Sequence, residues 1–224
     1  MANNNNNVNI SLKVCHWNAN GLECKFDELK DFILENEIDV MLVNETKFNN
    51  RINCCMTGYT CFRKDRNART TGGGVLILVK NEIKCKELTL NPSKFETVGV
   101  ELSSGLIIIS AYVTPKTTIE ANELASLFTL GNKVFVMGDF NAKHTDWNCQ
   151  QTNKNGRALQ QYVSNQPIVV LAPDSYTCYP YTGALPSIID LALLKNINNC
   201  TNIETLNESI PTTYLYCSSS LAKP

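Results

Sequence analysis

The chain has 224 residues, 43% of them apolar, and a formal net charge of −1. That is enough apolar material for a sizeable core, and it excludes both a wholly disordered chain and one drawn to polyanions by its overall field. No apolar run is long enough to span a bilayer, and the opening MANNNNNVNI lacks the apolar centre of a secretory signal, so a soluble intracellular protein is expected.

Residues 1–10 are Asn-rich with nothing to bury, and a disordered tail is expected there. Apolar, β-branched runs then recur as SLKVCHWN (11–18), IDVMLVN (38–44), GVLILVK (74–80), ETVGVEL (96–102), GLIIISAYV (105–113), KVFVMG (133–138), PIVVL (167–171) and SIIDLALL (187–194). Each reads as a strand, several of them buried on both faces because the apolar residues are continuous. Helical stripes lie between them: Phe26, Leu29, Phe32 and Ile33, with acidic Asp27 and Glu28 near the start; Ile119, Leu124, Leu127 and Phe128; and Leu159, Tyr162 and Val163. Strands that sometimes alternate with helices and sometimes follow one another predict an α/β fold of mixed sheets covered by helices, in one domain over 11–206. Residues 207–224, which include the small polar run at 217–220, are expected to form an irregular end with no final strand.

The 10 cysteines are spread along a long chain, which argues for reduced core thiols over a disulfide framework. Adjacent Cys54 and Cys55 lack a CxxC partner, and His16 and His144 are the only histidines available to complete a zinc site. The segment RKDRNARTTGGG sets Arg63, Lys64, Arg66 and Arg69 against Asp65 alone, ahead of Gly72, Gly73 and Gly74. It reads either as a solvated flexible loop or as a mobile arm for phosphates.

Polar residues sit where the apolar runs end: Asn18 and Asn20, Glu45, Tyr112, then Asp139 and Asn141 in GDFNA. Strand ends at one rim are where α/β proteins assemble sites, and strand parity would turn Asp139 and Asn141 to one side if the strand persists. Taken singly, the asparagines could equally be turn formers and Tyr112 a core aromatic.

Together WNANGL (17–22), NET (44–46), SAYVTP (110–115), GDFNAKHTDW (138–147) and SIIDLAL (187–193) resemble the endonuclease/exonuclease/phosphatase superfamily, and most closely the apurinic-type endonuclease domain of non-LTR retrotransposons. The resemblance implies a two-sheet mixed β-sandwich flanked by helices, in four α/β/β/α layers, that cuts DNA phosphodiester bonds with Mg²⁺ or Mn²⁺. By position it implies Glu45 as the metal carboxylate with Asn18 beside it, Asp139 as the group that positions or deprotonates water, and Asn141 and Tyr112 as phosphate-side donors. Asn20, Thr177 and Ser187 would contact substrate, and Asp190 matches the acid that orients a catalytic histidine in relatives. DNA would be the partner and the nucleus the place of work.

Relatives end with a Ser-Asp-His motif before the last strand, and this chain holds neither His nor Asp after Asp190. Asp190 is therefore expected to have no evident partner. His16 shares strand parity with Asn18 but lies deeper, as a packed histidine would, while His144 after GDFNAK is a candidate stand-in. An endonuclease by descent that is impaired or inactive, a silent fold that still holds DNA or a protein, and a phosphatase of small phosphate esters are the functions that compete.

Overall fold

A computed structural model describes residues 12–49, 51–52, 54–66, 72–180, 182–197, 200–206 and 214–219. The Asn-rich tail over 1–10, Arg69 and Tyr181 lie outside the described residues. Two mixed sheets of six strands each face one another. The first is ordered β11 (Cys200–Leu206), β12 (Tyr214–Ser219), β1 (Leu12–Asn18), β2 (Val40–Asn44), β4 (Val75–Lys80), β3 (Tyr59–Lys64). The second is β5 (Cys85–Glu87), β6 (Glu96–Leu102), β7 (Leu106–Tyr112), β8 (Lys133–Asp139), β10 (Asp190–Lys195), β9 (Ile168–Leu171).

The continuous apolar runs are explained by burial on both faces. Along β1, Leu12 and Val14 enter the layer between the sheets, while Cys15 and Trp17 pack beneath helix α1 (Phe26–Glu35) through Leu29 and Ile33. On the second sheet Ile108, Phe135 and Met137 face inward, and Ile109, Val134 and Val136 meet helices α2 (Ala121–Phe128) and α3 (Lys154–Val163). The four layers α/β/β/α follow, as expected from the sequence. All eight anticipated strands and the three helical stripes are present.

Two expectations are corrected here. The irregular C-terminal end instead supplies β12, which pairs antiparallel with β1 from Leu12↔Ser219 to His16↔Leu215 and so fills the place of the strand expected to be missing. Without it, the ladder groups on that side of β1 would lack a partner, a cost that outweighs the low strand preference of small polar residues. The basic segment is likewise no free arm where it is described, since Arg63 and Lys64 end β3, opposite Leu76 and Val75. Eight of the described cysteines are free thiols, but only Cys15, Cys54 and Cys149 among them are buried, and Cys200 is disulfide-bonded. Among the described residues no helix is long and apolar enough to cross a membrane.

Candidate active site

The layer between the sheets is apolar along most of its length and becomes polar toward one rim. Period-2 parity extends Leu12 and Val14 to His16 and Asn18, Val40 and Leu42 to Asn44, Ile108 to Ser110 and Tyr112, and Phe135 and Met137 to Asp139. Register then sets these side by side: Asn18 opposite Asn44, Tyr112 opposite Asp139, and Asp139 opposite Asp190.

Asn18 is the hub. Its amide donates to Glu45 Oε1 at 3.0 Å and to Asp139 Oδ2 at 2.9 Å, so one neutral group holds a carboxylate from each sheet. Glu45 follows β2 with a φ of 52°, a left-handed conformation uncommon for Glu. Backbone bonds keep it there: Gly21 N–H donates to Glu45 O at 2.8 Å and Thr46 N–H to Gly74 O at 3.2 Å. A Cβ on Gly74, whose φ is +88°, would stand 2.5 Å from Thr46 Oγ1. The glycine run thus backs the Glu45 turn, in place of the flexible loop expected from its composition.

Tyr112 is buried and hydrogen-bonds Glu45; burial, then the nearby Glu45 and Asp139 charges, pushes its phenol above its ordinary range and keeps it a donor. Asp139 is 2% exposed. Burial first, and then the neighbouring Asp190, raise its carboxyl well above the usual range, against the lowering effect of its bonds from Asn141 and Asn18. Burial likewise lifts Asp190 to about 7 while its hydrogen bond to Thr177 opposes the shift. Three carboxylates repelling one another in a desolvated rim call for a positive charge, and oxygen donors suit a hard divalent cation. Among the described residues no three His, Cys, Asp or Glu side chains form a cage by themselves. That fits Mg²⁺, which is commonly held by one or two carboxylates with water and phosphate completing its shell.

Behind the rim, Asn44 Oδ1 accepts from Asp139 N–H at 2.9 Å and lies 2.9 Å from His16 Nε2, while Asn44 Nδ2 donates to Ser110 Oγ at 3.0 Å. A Cβ on Gly138 would fall 1.8 Å from Ala111 O and 2.9 Å from Asn44 Oδ1, so only glycine admits this amide beside β8. Sequence reasoning missed Asn44 and Ser110, although their parity with Glu45's strand and with Tyr112 was readable.

Residues 106–213 match a family model described as endonuclease-reverse transcriptase. Over 186 residues, 80% of this chain, the sequence is 31% identical to the RNA-directed DNA polymerase from mobile element jockey of Drosophila melanogaster, of which it covers 20%. It is also 31% identical, over 84% of the chain, to the probable RNA-directed DNA polymerase from transposon X-element of Drosophila melanogaster, covering 22% of that protein. The endonuclease domain of TRAS1, a telomere-specific non-LTR retrotransposon, superposes with a TM-score of 0.77 over 96% of this chain and 100% of that one, at 16% identity. Family model, relatives and fold agree in their likeness to the endonuclease/exonuclease/phosphatase superfamily.

An AP endonuclease of Archaeoglobus fulgidus shares the superfamily fold at a TM-score of 0.68, 17% identity, and coverage of 92% of this chain and 98% of that one. The chain spans about a fifth of the length of the curated relatives it matches.

Within this superfamily fold several expected residues take other places. β8 ends at Asp139 and Asn141 turns left-handed at a φ of 46°, so strand parity does not carry to it. Its N–H donates to Asp139 Oδ1 at 2.8 Å and its side-chain amide to Val113 O at 2.9 Å. Asn20 N–H bonds Asn18 Oδ1 at 3.1 Å, and Asn20 Oδ1 accepts from Lys47. Thr177 Oγ1 accepts from Ile189 N–H at 3.0 Å and Asp190 N–H at 3.3 Å, which makes it a support of Asp190. Ser187 is buried, pairs its backbone with Cys178 and sets its hydroxyl against the Cys178 thiol.

The basic candidates divide. Arg63 donates to Ile52 O at 2.8 Å and pairs with Asp65 at 3.3 Å, and Arg66 pairs with Glu96, whose other oxygen takes Gly74 N–H at 2.5 Å. Both guanidinium groups are engaged within the protein, while Lys64 is exposed. His144 is no substitute for the missing histidine: its Nδ1 accepts from Asp146 N–H at 3.1 Å, capping the short turn Thr145–Trp147. Asp190, expected to stand alone, has a neighbour, for His16 Nδ1 lies 3.6 Å from its Oδ1.

Proposed function

We propose that this chain is a Mg²⁺-dependent DNA endonuclease that hydrolyses a phosphodiester bond to nick a target site for a mobile element, with the nucleus as its place of work. The observation that carries the reading is the Asn18 amide held between Glu45 and Asp139, which gathers acids of both sheets at one rim.

Glu45, with Asn18 beside it, would hold the cation, which when bound supplies positive charge for the phosphate. Asp139 accepts a proton from water more readily at neutral pH because burial and Asp190 raise its affinity for one. Asn18 and the Asn141 N–H hold the Asp139 oxygens in place, the remaining Asn141 amide hydrogen is a donor for phosphate oxygen, and the Tyr112 hydroxyl, turned to Glu45 here, would be a second once a cation takes that carboxylate.

Turnover is slow in this reading. Residues 207–213, between β11 and β12, read NESIPTT, so the segment before the last described strand supplies no imidazole. A preorganised donor to the transition state is worth on the order of 3 kcal/mol. The same gap favours a second reading, a fold that holds DNA without cutting it.

Nicking of supercoiled plasmid with Mg²⁺, with Mn²⁺ and with chelator decides between them. Metal-dependent nicking that Glu45→Ala abolishes supports the endonuclease; salt-sensitive binding with no nicking supports the silent fold. Faster turnover of a small phosphate monoester than of DNA would replace both.

A further inference from the structure

Among the buried polar side-chain atoms of the described residues that make no hydrogen bond within normal reach, two face each other. His16 is fully buried and Asp190 is 4% exposed; His16 Nδ1 and Asp190 Oδ1 are 3.6 Å apart, with no room for water between them. They come from opposite sheets, β1 and β10, so the contact exists only in the assembled sandwich.

The other end of the imidazole fixes which nitrogen does what. Asn44 Oδ1 accepts from the backbone N–H of Asp139, a group that can only donate, so the amide orientation is settled. The atom 2.9 Å from His16 Nε2 is therefore oxygen, and Nε2 must carry its hydrogen. Nδ1 is left as the atom available to Asp190. With one proton between Nδ1 and Oδ1 the pair is net neutral whichever atom holds it, and either placement makes a hydrogen bond once the gap closes by a few tenths of an ångström.

We propose that His16 is the positioning residue for Asp190, taking from the strand side the orienting contact that no histidine near β12 supplies. Asn44 holds the ring, the ring holds Asp190 Oδ1, and Thr177 holds the Asp190 backbone and carboxyl from the opposite flank. Asp190 in turn stands opposite Asp139 in the ladder, so His16 acts on the reacting region through these acids without touching substrate. The inference rests on the endonuclease reading for its catalytic consequence, though the contact itself does not.

The test has two arms on the full chain. In the first, long-range ¹H–¹⁵N spectra of the two histidines are recorded with and without Asp190→Asn. The expected result is a shift of His16 Nδ1 with Nε2 nearly unmoved; identical His16 Nδ1 resonances in both proteins overturn the proposal. In the second arm, His16→Asn keeps a polar atom at the Nδ1 position and His16→Gln keeps one at Nε2. His16→Gln is expected to lower kcat of nicking about tenfold or more at nearly unchanged KM, with His16→Asn recovering most of it. Equal losses, or the reverse order, overturn the proposal. If the wild-type chain does not nick DNA, the endonuclease reading fails and the first arm still decides the contact.

Discussion

Asn44 and Asp139 join the two sheets directly: the Asp139 N–H of β8 ends on the Asn44 side chain of β2 at 2.9 Å. Because the same amide also serves His16 and Ser110, Asn44→Leu would strand three buried polar groups. Each costs roughly 1–3 kcal/mol. Urea unfolding is expected to show a loss of at least about 3 kcal/mol, against well under that for Asn49→Ala on the exposed side of the same segment.

Gly138 tolerates no side chain. The 1.8 Å approach to Ala111 O involves backbone of an interior strand, which cannot move aside. Gly138→Ala is expected to cost more than about 3 kcal/mol or to leave the chain unfolded. Gly105→Ala, where nothing lies within 4 Å but φ is +78°, should cost only about 1 kcal/mol when both variants are compared by urea unfolding.

Stability should respond to pH through Asp190 and His16 in opposite senses. Asp190 titrates near 7 against an ordinary 3.8, so between those values the folded state keeps a proton that the unfolded state has lost, and stability falls as pH rises. Burial lowers His16 to about 4 from 6.5, so in that window the unfolded state carries the extra proton and stability falls as pH drops. Asp190→Asn removes the first effect, and with it the Asp190 charge that helps to raise Asp139, while the burial that lowers His16 stays. In chelator, the variant is expected to match wild type near pH 4 and to exceed it by ~4 kcal/mol at pH 8, with a steeper decline below pH 6.5 than wild type shows.

Metal should supply at pH 8 what the crowded carboxylates lack. Mg²⁺ at a hundredfold excess over its Kd adds about 2.7 kcal/mol to the folded state. Calorimetric melts are expected to rise with Mg²⁺ in the wild-type chain and to stay level in Glu45→Ala.

Arg66 and Lys64 are neighbours in sequence with different duties. Arg66→Ala breaks the Glu96 pair and is expected to lower stability while leaving the salt dependence of DNA binding unchanged. Lys64→Ala, at an exposed position, should reduce the log–log salt slope by about 1.

Much of this was legible beforehand because strand parity is a strict rule. It set Asn18 beside the layer that holds Leu12 and Val14, and it turned His16 the same way. What parity along one strand cannot show is which residue of the other sheet stands opposite, and so the His16 to Asp190 contact needed the packed sandwich. Arg63 and Arg66 were misjudged for a related reason: a positive charge looks free in a sequence until its acceptor, Ile52 O or Glu96, is brought near by distant pairing. The strand at Tyr214–Ser219 was hidden because only its first half, Tyr-Leu-Tyr, favours a strand, while the Cys-Ser-Ser that follows is held by its pairing with β1.

The pairing of β12 with β1 has a consequence for how the molecule is made. β1 leaves the ribosome first among the strands, and the partner for one of its edges is translated only after every other described strand has emerged. Until then an incomplete sheet offers its bare edge to any nascent neighbour, and the rim that carries His16 and Asn18 stays open until β12 emerges.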